Sequence, residues 1–326
     1  MNTRQKEVMQ APSRLAARSP RRNAPIAKKA LLAAAAFAGL AASACAPVAL
    51  AATPLISLIG PDEWHLPIVE SKNLFLQSGL DQINSSFYDA NGNSHDHLPI
   101  ASFRTYAGVT RFAHLFSFES LPGVGFGVEY LQPYLSVQLP GQSITGLADP
   151  LFEIGAYYKP APNLTLGYIN VPSVPLGSNE LSKHFWSDTS LFIGNYHIGK
   201  FGFNGTLAYG VASTQHQAGQ DTDIGDTYGA EMTALYEVTD WVAPFVGFVY
   251  HKNEASHASN TGVEAPGQGP LYSCFGPGGC HESLLGGGFN FHFTRTKSLG
   301  VWYYTGVGGS NVIKTNAAYL FYTQPF

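Results

Sequence analysis

Charge is what this chain has least of: Asp, Glu, Lys and Arg make up 12% of its 326 residues, about half of the roughly 25% usual in soluble domains. The positive charge is also gathered in one place. Eight of the 18 basic residues (Arg4, Lys6, Arg14, Arg18, Arg21, Arg22, Lys28 and Lys29) precede residue 30, against a single acid, Glu7. Beyond that stretch ten basic residues face 21 acids, a net charge near −11, which excludes the basic footprint of a nucleic-acid-binding protein. Long apolar runs are missing too. After the first fifty residues no segment offers 18 consecutive apolar residues, and this excludes a helical membrane span. Cysteine is scarce, with Cys45, Cys274 and Cys280 alone, so the body of the chain holds one pair.

What is present points to export. The basic stretch is followed by an alanine-rich apolar run, Ala30 to Ala44, and then by Ala49-Leu50-Ala51, a small-x-small site. Basic, apolar and small-residue regions in that order are a secretory signal, with cleavage expected near Ala51. The run is too short to anchor in a bilayer. Cys45 after Ala42-Ser43-Ala44 offers a lipoprotein-type alternative. An exported protein without an anchor stops in the periplasm, in the outer membrane or outside. Glycine (35 residues) and Phe, Tyr and Trp (13%) are plentiful, which suits a protein that shows an apolar outside to lipid. Without helices, only a closed barrel satisfies its backbone polar groups there.

Twelve strand-like segments follow, near 74–89, 98–113, 124–138, 147–159, 163–174, 185–199, 201–216, 225–239, 241–254, 283–295, 297–308 and 312–323. Most exceed the roughly 9–11 residues that a tilted strand needs to cross a membrane. Alternation is clearest in three of them. Phe201, Phe203, Leu207, Tyr209 and Val211 oppose Gly202, Asn204, Thr206 and Gly210; Tyr228, Met232 and Tyr236 oppose Thr227, Glu231 and Thr233; Leu285, Phe289 and Phe293 oppose Gly286, Gly288 and Asn290. Such period-two patterning sends one set to lipid and the other to a lumen expected to be polar. Connections alternate between long and tight, as in barrels whose ends both lie in the periplasm.

The expected fold is therefore all-β: a transmembrane, antiparallel, up-and-down β-barrel of about 12 strands after a cleaved signal peptide. Residues 1–51 are the signal and 74–326 the barrel. Residues 52–73, with Trp64, Pro54, Pro61 and Pro67, form either a periplasmic lead-in or a small plug. The chain ends in Phe326 behind alternating aromatic and apolar residues, the kind of ending read by the barrel-insertion machinery. Outer-membrane lipid and a small-molecule solute are the other partners expected, and nucleic acid is not one.

Several residues can carry chemistry. Cys274 and Cys280 bracket Phe-Gly-Pro-Gly-Gly in the longest connection, and an oxidising compartment favours a disulfide, with a metal site including His281 as the alternative. His95-Asp96-His97 and the cluster Asp221, Asp223 and Asp226 read as solvated loop residues. Charges toward lipid cost roughly 2–4 kcal/mol for Arg or Lys at the midplane, so Arg104, Glu153, Glu231 and Glu237 are expected to point inward and pair. They form either a stiffening network or a permeation constriction. Outer-membrane phospholipases are also twelve-stranded barrels. Here, however, His114 and Ser117, like His184 and Ser187, fall on opposite strand faces, so neither pair makes a catalytic couple. No catalytic motif and no cofactor or metal site is implied.

Gly146-Leu147-Ala148-Asp149-Pro150, then a strand, a short turn, a second strand and Pro175-Leu176-Gly177, resembles the outer-membrane family associated with the meta-cleavage pathway of phenol degradation. Its members commonly carry a Gly-Leu-Gly-Asp-like element followed by Pro-x-Gly at this separation. The likeness runs from about Phe75 to the carboxyl end. It implies uptake of small hydrophobic or aromatic compounds across the outer membrane. Asp149 can accept backbone hydrogen bonds at the top of a strand, so Gly146, Asp149, Pro150, Pro175 and Gly177 read as loop-shaping residues.

Overall fold

The computed structural model describes residues 71–99, 101–217, 220–259, 261–268, 273–294 and 297–326. The expected signal peptide, and nearly all of the lead-in, lie outside these residues.

Twelve long strands form the barrel: β1 Lys72–Asn84, β2 Phe103–Ser117, β3 Val124–Leu139, β4 Leu151–Ala161, β5 Leu164–Ser173, β6 Ser187–Ile198, β7 Phe201–Ala212, β8 Thr227–Tyr236, β9 Val242–Asn253, β10 Cys280–His292, β11 Ser298–Ser310 and β12 Asn316–Pro325. Each pairs antiparallel with its sequence neighbours, and β1 pairs with β12, closing the sheet into a ring. Closure runs through nine residue pairs, from Leu74 opposite Pro325 to Gln82 opposite Ala317. A closed ring leaves no unpaired edge, the condition for a sheet in lipid.

Burial alternates along the strands as the sequence pattern requires. Leu207, Met232, Val246, Leu285 and Phe289 are exposed on the outside, Met232 by 67%. Water would leave such a belt a liability; lipid makes it the favourable surface. Aromatic pairs edge the belt at both ends. Phe201 and Tyr236, 4.8 Å apart by ring centroid, sit at the short-connection end, and Tyr209 and Tyr228, 5.5 Å apart, at the other. Such girdles mark the two interfaces of outer-membrane barrels.

The connections 162–163 and 199–200 are two-residue turns, and Gly199 takes a positive φ of 58° in the second. Lys72 and Pro325 lie at this same end. The opposite end carries the long connections, which form two small sheets. One joins Gln215–Gln217, Gln220–Asp223, Ser256–Ala258, Glu264–Gln268 and Ser273–Pro277; the other joins Val312–Ile313, Phe87–Tyr88 and Ser94–His95.

These sheets account for the main departures from the expected spans. The first expected segment stops at Asn84, because Phe87–Tyr88 pairs with Val312–Ile313. The last begins at Asn316 for the same reason, after Asn311 turns the chain with a φ of 54°. Gln142–Leu147 folds back on β3 as a hairpin, so the next barrel strand starts at Leu151.

Candidate functional site

The inward side chains are the natural candidates for function, and they combine an aromatic cluster with several buried charges. On β9, β11 and β12 the inward residues are Phe245, Trp302, Tyr304, Tyr319 and Phe321, all buried and clustered with Leu74, Leu76 and Leu80 of β1. Trp302 stacks on Tyr319 at 5.9 Å and 10° between planes, and Tyr304 meets Tyr319 edge-on at 6.1 Å. The expectation of a polar lumen is therefore corrected on this side. Inward glycines explain how large rings fit a narrow barrel. A Cβ at Gly286 would lie 2.6 Å from the Tyr304 ring, one at Gly288 2.5 Å from Trp302 Cβ, and one at Gly247 1.9 Å from Tyr304 Oη. The rings lie in the space that these residues leave empty.

The inward face of β2 to β6 carries a second apolar cluster that includes Val109, Leu131, Ile169 and Leu191, and buried charges are set among these apolar residues. Arg111 on β2 is fully buried, and its Nε donates to Glu129 at 3.0 Å, while Glu153 lies 3.6 Å from its terminal nitrogen. Glu129 and Glu153 are directly opposite across β3 and β4. Like charges in that position repel, and the guanidinium between them offsets the repulsion. Glu282 on β10, also fully buried, accepts hydrogen bonds from the Thr315 backbone at 2.8 Å and hydroxyl at 2.7 Å.

Of the charges singled out in the sequence, Glu153 and Glu231 are inward and buried. Glu237 lies just past the end of β8, at the short-connection rim and half-buried, where its N–H donates to the Lys200 carbonyl. Arg104 does not face the lumen. The odd-numbered residues of β2 point inward, so Arg104 points out, where it pairs with Asp81 and stands 4.8 Å above the Tyr106 ring. Its partner across the ladder is Ile83, one residue from the end of β1. At the membrane rim the cost of an outward charge falls to about 0–1 kcal/mol, so the rule that charges turn inward does not bind it. Arg111, in the middle of the same strand, is the residue that the rule describes.

At the mouth Cys274 and Cys280 are joined by a disulfide, with Cα atoms 5.4 Å apart. The Asn311 amide donates to the carbonyls of Gly276, Pro277 and Gly279 at 3.0, 3.0 and 3.2 Å, cradling the bridged loop. Its backbone N–H donates to the Asp89 carbonyl. Hydrogen bonds from Asn93 and then His95 hold the Asp89 carboxyl well below the usual carboxylate range. His95, which also stacks on Phe87 at 4.7 Å, is thus tied into loop structure. Asp221, Asp223 and Asp226 go to separate partners, His216, Thr214 and Tyr209.

The two halves of the sequence motif meet. Asp149, buried, accepts hydrogen bonds from the backbone N–H of Gly177 at 2.8 Å and of Lys183 at 2.7 Å. A Cβ at Gly177 would stand 2.8 Å from Ala148 C and Asp149 N, so only glycine allows the approach. Gly146 serves the same end, since a Cβ there would meet Ser178 Oγ at 2.5 Å and Leu181 Cδ1 at 3.2 Å. Pro150 closes the contact by accepting from the Val174 N–H and the Ser173 hydroxyl, both at 3.2 Å. Pro175 lies in the same connection.

With this geometry, the sequence profile of the family described as "Putative MetA-pathway of phenol degradation" matches residues 85–321. The chain belongs to that family. No curated protein matches the sequence. Among solved structures, an outer-membrane channel from Pseudomonas putida F1 is similar over 80% of this chain and 97% of its own, with a TM-score of 0.66 and 15% identity. The toluene transporter TodX of Pseudomonas putida (9% identity, 82% and 92% covered, TM-score 0.44) is more distant. So is the β domain of the Bordetella autotransporter BrkA (9% identity, 79% and 100% covered, TM-score 0.46). The first of these structures shares the fold, a closed β-barrel of the outer-membrane type, and the exposed apolar belt agrees with it.

Proposed function

We propose that this barrel is a passive channel for small hydrophobic or aromatic compounds and performs no covalent chemistry. The observation that carries the reading is the aromatic wall of Phe245, Trp302, Tyr304, Tyr319 and Phe321 inside a lipid-belted barrel. A polar solute gains nothing from such a wall, whereas an aromatic one exchanges water for ring contacts, each ring pair contributing about 0.5–1.5 kcal/mol beyond area burial. The family profile and the likeness to the Pseudomonas putida F1 channel support the same direction. In this reading Glu153 and Glu231, with Arg111, set the polarity of the lumen, and Glu237 the polarity of the inner rim. Residues 1–51 are removed on export, and Phe326, whose ring is exposed at the short-connection end, is presented to the insertion machinery.

Purified protein in liposomes tests this. Solute-dependent passage without phospholipid hydrolysis is the expected result. Hydrolysis without passage assigns the barrel to the lipid-modifying enzymes instead, and neither activity assigns it a structural or adhesive role.

A further inference from the structure

In the 174–186 connection between β5 and β6, Leu181, Ser182, Lys183 and Phe185 turn inward and are buried, whereas Leu176 and Trp186 stay exposed. Ser178 and Leu181 lie against Gly146, which sits opposite Leu135 on the inward face of the hairpin extending β3. Leu181 is fully buried and belongs to the same apolar cluster as Leu135, Val137 and Trp302. His184 takes a left-handed φ of 56°, a costly conformation for a residue with a Cβ, and this turn lets Lys183 and Phe185 both be buried. The arm is held at both ends. Asp149 grips the backbone of Gly177 and Lys183, and Gln215 Nε2 donates to the Lys183 carbonyl at 2.6 Å.

We propose that the arm Leu181–Phe185 is the constriction that sets the size limit of the channel, and that Asp149 is the positioning residue that keeps it closed. The inference rests on the channel reading above. A loop chosen only for order has no reason to bury a lysine and to take a strained turn at His184 next to it, since each is costly. A loop that must stay across the path does have one. The carboxylate is the fitting latch, because hydrogen bonds to charged acceptors are worth more than neutral ones. Losing one of the two raises the population of released arm by roughly tenfold or more.

The full-length protein is reconstituted in liposomes, and swelling rates are compared across a size series of uncharged solutes. Asp149→Ala is expected to admit solutes that the wild type excludes. Gly146→Cys with Ser178→Cys supplies the control. The new Cβ would lie 3.2 Å from Ser178 Cβ, close to the roughly 3.5–4.5 Å of a disulfide. Oxidised in the Asp149→Ala background, the pair restores exclusion, and reduction abolishes it again; the single cysteine variants correct for the native bridge. An unchanged size limit in folded Asp149→Ala overturns the latch. So does a limit that the oxidised lock fails to restore. If no variant passes any solute, the channel reading fails. The latch is then judged by protease cleavage within 174–186, which Asp149→Ala must accelerate and the oxidised lock must suppress. Should Asp149→Ala not fold, Asp149→Asn carries the same comparison.

Discussion

Gly247 and Tyr304 show how much of this barrel is decided by single atoms. The Tyr304 hydroxyl occupies the place of a missing Cβ, and the ring is fully buried and has nowhere to retreat. Gly247→Ala should cost about 1–3 kcal/mol by overpacking. Tyr304→Phe in the same chain should recover most of it, since the nearest ring atom then stands 3.0 Å from the new methyl. Chemical unfolding in detergent micelles reads both, and additive costs in the double variant would refute the contact. Arg111 makes a second prediction. Removing it strands Glu129 and Glu153 face to face and dry, so Arg111→Ala should destabilise the barrel by about 3–5 kcal/mol. Adding Glu129→Gln should return part of that loss. Equal stability of Arg111→Ala and wild type would mean that water already screens the pair.

At the scale of elements, the 174–186 arm carries a pH dependence. Burial pushes the Lys183 amine down from 10.5 to about 7, with Asp149 partly opposing. Between those values the docked arm binds fewer protons than the released arm. Docking therefore strengthens as pH rises from about 7 toward 10.5, and is weakest and flat below about 7. Amide hydrogen exchange across 174–186, corrected for the intrinsic rate, should slow over that window in the wild type but not in Lys183→Met. A slope that survives in Lys183→Met would assign it elsewhere. The strands themselves were legible from the sequence because lipid imposes one chemistry on the outer face: Leu207, Met232 and Phe289 alternate with small or polar neighbours. The ends of β1 and β12 were not legible, since Phe87–Tyr88 and Val312–Ile313 are β-structure as well and differ only in pairing with each other across the mouth.

For the molecule as a whole, the two faces of the wall were unequally readable. The outside answers to a solvent, the inside to packing among residues far apart in sequence. On β11 both faces are apolar: Val301 and Tyr303 look outward, Trp302 and Tyr304 inward. Alternation there carries no sign, and the parity becomes plain only beside the glycines of β9 and β10. Arg104 and Arg111 differ in depth, which no local pattern reports. The motif around Asp149 and Gly177 reads as loop-shaping, but its partner contact, 28 residues apart, needed the folded hairpins.

The aromatic wall as the path of a solute is the central claim. The direct measurement is entry of an aromatic compound and of an aliphatic compound of equal size into liposomes holding the wild type or the Trp302→Leu, Tyr319→Leu variant, with folding checked by heat-dependent gel mobility. Faster entry of the aromatic compound through the wild type is expected, with loss of that preference in the folded variant. Equal entry of both compounds through the wild type, or a preference unchanged in the variant, would contradict it.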